Sequence, residues 1–592
     1  MKHSYVNLNL VILLLVFAGG VFSCGVPSET DPEGPSVPGD DEIIVEEILE
    51  FNETPSGTQE AARLGQSNPA SDFTPTGFYL PPNTELVVKV DQLEPGSGTP
   101  VLLIGSYSRY EAKWNPTEIA LTDGINTVPG DEYGGIMYIR YNTGEGNIAS
   151  GQVRIEFMDG HQPMPYFVHG ETTNGQWQTM LDTWTDAPDV LLVSDKAIIV
   201  ASMDKALQYR DEDQNQLLTT AEQILDAEAA ISGQDGSAPE HQRNTHRLLM
   251  TETDMEDTFM AATWYRTWYH RDVVNHILTV DGLGNDGWGP WHELGHMHQQ
   301  GAWTWDGLGE VTVNIYSLAA ERAMGVTPSR MVRDGVWYAV ADYLALPDEE
   351  RDFNSAAASL FVRLGMFQQL WLAYGDTFFQ QLHKQTREEQ PNPGSTEAEM
   401  RYFMLKACEI SGNDLGDFFQ KWGLKVSTSV YDEIAALNLS EPEEDLTELT
   451  DDPDWESRWL ITDYSSQETS GENGRASNII DGDPATYWHS QWSGDNAAEY
   501  PHHVSVDMKG ATAVNGFTLT QRDGQRKVKD LEILVSNDNT NWESLGDHVL
   551  EETAAPQNID LPESQSFRYF KLVMKSAYDG LQFAAMAEVT VY

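Results

Sequence analysis

Cysteine is almost absent from this chain: Cys24 and Cys408 are the only two in 592 residues. A fold stapled by disulfides is therefore excluded. Basic residues are scarce, 35 Lys+Arg against 93 Asp+Glu, for a net charge of −58. Such a surface repels nucleic-acid phosphates and anionic headgroups, so nucleic-acid partners are not expected. Past the first two dozen residues no apolar run is long enough to cross a bilayer, and no solenoid-period repeat is present. What remains is globular in composition, 40% hydrophobic and 10% aromatic, with length for about three or four domains.

The N-terminus reads as an export signal. Lys2 and His3 precede an apolar run over residues 10–22, which ends Val21-Phe22-Ser23-Cys24. That ending resembles a bacterial lipobox, in which the cysteine is lipidated. Residues 1–23 are expected to be a signal peptide and 24–45 a Pro/Gly/Ser-rich tether. The expected location is an exported bacterial lipoprotein of the outer membrane or cell surface, in contact with membrane through its lipid anchor only. With Cys24 acylated, Cys408 has no partner and is expected to be a small buried hydrophobe.

Short alternating runs such as Leu86-Val87-Val88-Lys89-Val90, separated by Pro/Gly/Asn/Asp turns, predict a β-sandwich over residues 46–164. Residues 190–200 read as a further strand. Helical patterns then dominate to residue 439, giving a mostly helical α+β domain over 165–439. Residues 440–457, crowded with acids, read as a linker. Strand signals return over 458–592 and predict a second β-sandwich of jelly-roll type. The chain is thus expected to be multidomain, and monomeric.

The strongest chemical signal is Pro290-Trp291-His292-Glu293-Leu294-Gly295-His296. On a helix, residues four apart share a face, so His292 and His296 can offer imidazole nitrogens to one Zn²⁺, with Glu293 as the base that activates water. Gly295 lacks a side chain, which lets another segment approach. With 15 His in the chain, chance predicts about 0.03 such motifs. A catalytic zinc site needs a third protein ligand. Glu310, in the first turn of the next helical run, is favoured. Glu321 is the rival, eleven residues on and about 16 Å further along the axis. Asn314, one turn after Glu310, is placed to hydrogen-bond the ligand carboxylate or line the cleft. His298 is expected at the surface or behind the ligands. Trp264, Tyr265, Trp268, Tyr269, Trp288, Trp291, Trp303 and Trp305 bracket the motif, most of them as core and some as a cleft wall. Tyr265 and Arg266 are among the groups able to stabilise an oxyanion, with none singled out.

These residues, with Glu310-Val311-Thr312-Val313-Asn314-Ile315-Tyr316 and Gly77-Phe78-Tyr79-Leu80-Pro81-Pro82, resemble the enhancin-like, mucin-degrading zinc metallopeptidases over residues 73–437. The resemblance implies His292, His296 and Glu310 as zinc ligands, Glu293 as base, and cleavage of the backbone of O-glycosylated, mucin-like proteins. Separately, Ala476-Ser477-Asn478-Ile479-Ile480-Asp481-Gly482-Asp483-Pro484-Ala485-Thr486-Tyr487-Trp488-His489, Val535-Ser536-Asn537-Asp538 and Ala587-Glu588-Val589 resemble the factor 5/8 type C (discoidin-like) fold and its family-32 carbohydrate-binding relatives. That implies a structural Ca²⁺ held by Asp481, Asp483, Thr486 and Glu588. It also implies galactose-type glycan contacts from Arg522, Phe583 and His489, with Trp488 in the core.

Overall fold

The computed structural model describes residues 43, 45–92, 98–105, 108–144, 147–493 and 497–592. The signal peptide and Cys24 fall outside the described residues, as does nearly all of the tether. No described helix is long and apolar enough to cross a membrane.

The N-terminal domain is a sandwich of two antiparallel sheets. One runs in the order Ile48–Asn52, Gln152–Asp159, Leu86–Gln92, Gly124–Val128. The other runs Thr117–Ala120, Val101–Ile104, Gly135–Arg140, Thr74–Leu80, Gln162–Pro163. Alternation explains the inner layer: Leu86, Val88 and Val90 point in, against Leu102, Met137, Ile155 and Phe157. The strand Gly135–Arg140 does not alternate, and its first five residues are all buried. Its second face, with Leu103, Ile136 and Tyr138, packs on Leu191, Val193, Ile198 and Val200 of the next domain. A strand covered on both faces needs a continuous apolar run.

The central domain is built on a six-stranded sheet, in the order Tyr166–Val168, Asp189–Val193, Ala197–Ser202, Leu248–Thr253, Arg266–His270, Met260–Thr263. The expected single strand over 190–200 is a hairpin. The Ser194 hydroxyl accepts from the N–H groups of Lys196 and Ala197, each at 3.2 Å, and the polar Ser-Asp-Lys triplet turns the chain. Opposite the sandwich, the sheet is covered by helices α1 (Gln214–Ile231) and α2 (Trp288–Gly295). Helix α3 (Gly309–Met324) joins this layer to a helical lobe centred on Trp305, Phe367, Phe403 and Trp422. Cys408 lies in that lobe, fully buried and unpaired, its thiol pushed up to about 12 by burial.

Residues 440–457 carry the expected acids but lie strapped to the lobe. Leu446 and Trp455 are buried in its core, the Gln369 amide donates to the carbonyls of Thr447 and Leu449, and the Trp337 indole donates to Asp451. Two large apolar residues in an acidic stretch suffice as anchors. The C-terminal module has one sheet ordered Leu460–Tyr464, His502–Thr520, Gln557–Met574, Asp530–Ser536, Glu543–Val549, with Glu588–Val591 added to the second strand. Trp488 and Met586, paired across a short second sheet, close its core.

Candidate active site

Helix α2 begins after the Asn285-Asp286-Gly287 turn and is pinned by Trp291, whose buried indole donates to the Leu283 carbonyl at 2.9 Å. The pin sets the opposite face, which carries His292 and His296. Their Nε2 atoms lie 2.9 and 3.7 Å from Oε2 of Glu310, on the first turn of α3. Ligand atoms of all three residues fall within 4.8 Å of one another, and tetrahedral bonds of about 2.1 Å need spacings of about 3.4 Å. Both rings are held from behind by amides. His292 Nδ1–H donates to Asn314 Oδ1 at 2.9 Å, and His296 Nδ1–H to Gln299 Oε1 at 2.7 Å. Each amide is fixed in turn: Asn314 Nδ2 donates to the Glu310 carbonyl, and Gln299 Nε2 to the Gly309 carbonyl and Thr312 hydroxyl. This locks both imidazoles with Nε2 free for a metal. The donor set fits one Zn²⁺.

The flanking His292 and His296 imidazoles hold the Glu310 carboxyl far below the carboxylate range. Glu293 is 8% exposed. Burial pushes its carboxyl up, against the pull of both imidazoles, and the backbone N–H of Ala262 is its hydrogen-bonding neighbour. Ala262 belongs to the edge strand Met260–Thr263. The turn that follows carries Trp264, 48% exposed and edge-on to Tyr265, which adopts φ +71°. Close approach of α2 and α3 depends on Gly295, where a Cβ would lie 2.9 Å from the Val313 carbonyl oxygen.

Asn314 orients a histidine ring and the Glu310 backbone, while Gln299 had no signal beyond its position three residues after His296. Glu321 is 2% exposed and accepts from the Arg330 N–H and the Arg333 guanidinium, so it clamps the turn after α3 and does not join the histidines. The surface reading of His298 is overturned. The turn after α2 tucks it under the helix at 7% exposure, beside Glu228, Ser232 and Gln234, and burial pushes it down to about 3. Arg266 is buried and donates to the Ser108 hydroxyl and the Trp264 carbonyl. Trp291, Trp303, Trp305 and Tyr269 are core, which leaves exposed Trp264 and half-buried Tyr265, Trp268 and Trp288 as wall candidates. A second group, Glu240, His241 and Glu388, is unsuited to a metal. Arg387 donates to His241 Nδ1, which leaves Nε2 protonated towards Glu388.

In the C-terminal module Arg522, His489 and Phe583 come together around a residue the sequence did not suggest. Glu472 accepts from Tyr487 OH at 2.6 Å and Trp492 Nε1 at 2.9 Å, and lies 3.4 Å from Arg522 and 3.9 Å from His489. The Arg522 guanidinium stacks 4.0 Å from the Tyr487 ring, and the His489 and Phe583 rings are 6.2 Å apart. His489 is 3% exposed, so it presents little more than an edge. On the other loop, Thr486 donates to Asp481 at 2.6 Å, and Glu588 accepts from the Gly482 N–H at 3.3 Å. Burial, then the charges of Asp481 and Asp483, push Glu588 up to about 8. Among the described residues no basic side chain pairs with these three acids, a donor set suited to a hard cation.

Residues 160–423 match the family model of Peptidase M60, enhancin and enhancin-like. The central domain is an enhancin-like M60 peptidase domain. Residues 55–156 match the N-terminal domain of M60-like peptidases, and 461–589 the F5/8 type C domain. The three-part fold read from the sequence is therefore the one present. A sialidase from Micromonospora viridifaciens is 38% identical over 139 residues, 23% of this chain and 21% of that protein. The chain spans no more than about a third of the curated relatives it matches. A functionally unknown conserved protein from Bacillus anthracis superposes with TM-score 0.61 at 28% identity, over 78% of this chain and 96% of that one. The M60 catalytic domain of Clostridium perfringens ZmpC, solved in complex with the sialyl T antigen, superposes with TM-score 0.59 at 17% identity, over 92% and 99%. At that identity the likeness is one of fold.

Proposed function

We propose that this chain is a zinc-dependent endopeptidase that cleaves the backbone of O-glycosylated, mucin-like proteins, with a C-terminal module that holds galactose-type glycans. The observation that carries this reading is the convergence of His292, His296 and Glu310 within 4.8 Å, with Glu293 buried beside them. Zn²⁺ bound by these three residues supplies Lewis acidity, polarising a carbonyl and acidifying water. Glu293 takes the proton from the attacking water and delivers it to the leaving amine. Asn314 and Gln299 keep the imidazole rings fixed through the cycle. The edge strand Met260–Thr263 offers backbone groups for an extended peptide, and Trp264 beside it offers an exposed aromatic face for a sugar.

The ZmpC catalytic domain's complex with a glycan supports the glycan-directed part of this reading. In the module, Arg522, Glu472, His489 and Phe583 form the sugar site, and Asp481, Asp483, Thr486 and Glu588 hold Ca²⁺. Export and lipidation at Cys24 complete the proposal, placing the enzyme at a bacterial surface.

The test uses protein starting after Cys24, a mucin-type glycoprotein, its enzymatically deglycosylated form and a Glu293→Ala control, with fragments read by mass spectrometry. Cleavage of the glycosylated form alone, lost in the control, is expected. Equal cleavage of both forms would replace this reading with a general zinc peptidase. Cleavage of neither by zinc-loaded protein would leave a glycan-binding adhesin.

A further inference from the structure

Between the M60 domain and the C-terminal module lies a cavity of roughly 730 Å³, apart from the histidine cluster and the Arg522 site and bordered by the Asp481–Thr486 loop. Its walls are preformed because the seam is fastened. Trp455 is buried against the helical lobe with its ring 5.5 Å from Tyr338, Arg458 pairs with Asp452 at 2.6 Å, and Leu460 packs on the lobe core. On the module side it presents Arg475 and Asn473, with Asp481, Asp483 and Thr486 of the proposed Ca²⁺ loop at its border, and on the M60 side the rings of Tyr338 and Phe361. Phe361 links the cavity to the catalytic helix. Its ring is 6.1 Å from Trp288, the first residue of α2 and one turn before His292, with the Arg330 guanidinium over both.

Arg475 is the unusual member. Cations are few here, 35 against 93 acids, and nearly every arginine near the seam is spent: Arg333 on Glu321, Arg458 on Asp452, Arg330 on Asp334. The half-buried side chain of Arg475 makes no hydrogen bond or ion pair among the described residues, its backbone carbonyl alone accepting from the Asn478 N–H. It acts at a distance on the buried carboxyl of Asp342, whose Oδ2 has no partner, yet no bond joins them. A partly desolvated guanidinium facing a cavity without an anion is a preorganised half of a bidentate pair. Beside it the Asn473 amide matches a sugar hydroxyl, and the two rings match the apolar face of a pyranose.

We propose that this seam cavity is a second glycan subsite, which takes a sugar bearing a carboxylate and reads that group with Arg475. It rests on the proposed action on glycoproteins for its use. A glycan attached beside the scissile bond passes Trp288 and Phe361 to reach it, so the seam senses the acidity of the glycan being processed.

Binding is tested without cleavage, on the intact chain carrying Arg522→Ala to silence the module's own sugar site. The probes are a sialic-acid-terminated lactose trisaccharide and lactose itself, read by saturation-transfer NMR and calorimetry. The trisaccharide is expected to bind, and lactose at least about tenfold more weakly. Adding Arg475→Ala should weaken the trisaccharide about tenfold or more, the order of one lost charge-assisted pair. Arg475→Lys should recover part of this, and exposed Asn473→Ala should cost severalfold with an unchanged melting temperature. Equal binding of both sugars, indifference to Arg475→Ala and Asn473→Ala, or loss of all binding with Arg522→Ala alone would each overturn the proposal. An acidic peptide that binds as tightly would overturn its sugar assignment. Failure of the mucin cleavage test would sink the peptidase reading and leave these measurements standing.

Discussion

Gly295→Ala tests whether the spacing of two helices sets the metal site. The added methyl would lie 2.9 Å from the Val313 carbonyl oxygen, 3.1 Å from Val313 Cγ2 and 3.2 Å from Tyr316 Cβ. Contacts of this kind relax to about 3.5 Å, so α3 must move from α2 by about half an ångström. A helical Gly→Ala exchange gains at most about 1 kcal/mol, and overpacking costs about 1–3 kcal/mol, so the apoprotein should lose about 0–2 kcal/mol. The larger effect falls on the site, because α3 carries Glu310 and Asn314 while α2 carries both histidines. Zn²⁺ affinity, measured by chelator competition, should fall about tenfold, with about 1.4 kcal/mol less metal-dependent stabilisation at a fixed excess of zinc. Gly301→Ala is the control, since its methyl would meet only Ser67 Oγ at 3.5 Å. Wild-type zinc affinity together with an unchanged or raised apo melting temperature in Gly295→Ala would refute the reasoning.

Asn314→Ala removes the acceptor of His292 Nδ1–H and should cost about 10- to 100-fold in metal affinity; chelator competition checks it, and Asn314→Asp should recover part. Trp264→Ala should change stability by less than about 0.5 kcal/mol, since the ring is 48% exposed. It should raise KM for a glycosylated peptide about tenfold and leave the unglycosylated peptide unaffected in paired kinetics. Glu468 is buried, which alone would raise its pKa, but hydrogen bonds from Gly471, Ser493 and Trp492 outweigh burial and bring it to about 2. Its stabilisation is complete above the ordinary value of 4.5 and is lost as pH falls from there through about 2. Glycan binding by the module should decline over that window, and Glu468→Gln should weaken binding at neutral pH and flatten the decline.

The clustering of His292, His296 and Glu310 was legible because its information is local. A four-residue spacing fixes a helix face, and the first turn of the following helix is where a short loop returns, which separates Glu310 from Glu321. Gln299 was not legible, because its role depends on how the chain turns after His296. His298 failed for the same reason. Spacing gives its direction relative to the helix but not what α1 places beneath it. The break at Ser194 hides inside an apolar run where burial on both sides of the hairpin keeps the pattern continuous. Glu472 belongs to a turn fifty residues before Arg522, and only the tertiary fold joins them. The strapped acidic segment carried a visible clue: Leu446, Leu449 and Trp455 are the large apolar residues that a free tether lacks.

The N-terminal sandwich has a physical reason for its place. Its five-stranded sheet shares a core with the catalytic sheet, through Leu103, Ile136 and Tyr138 on one side and Leu191, Ile198 and Val200 on the other. Helices α1 and α2 cover the opposite face, so the catalytic sheet has no wet face through which to flex. At the catalytic end only its edge remains, the strand Met260–Thr263, which among the described residues pairs solely with Arg266–His270. An unpaired edge is a liability that proteins usually cover or shorten. This one is four residues long, and its middle carries Ala262 next to Glu293. An edge that short pairs with a brief extended segment and cannot template a long one. Affinity from the backbone is thereby capped, and under the proposed function discrimination would pass to groups off the edge: the aromatic tip at Trp264, the seam cavity and the Arg522 site of the module.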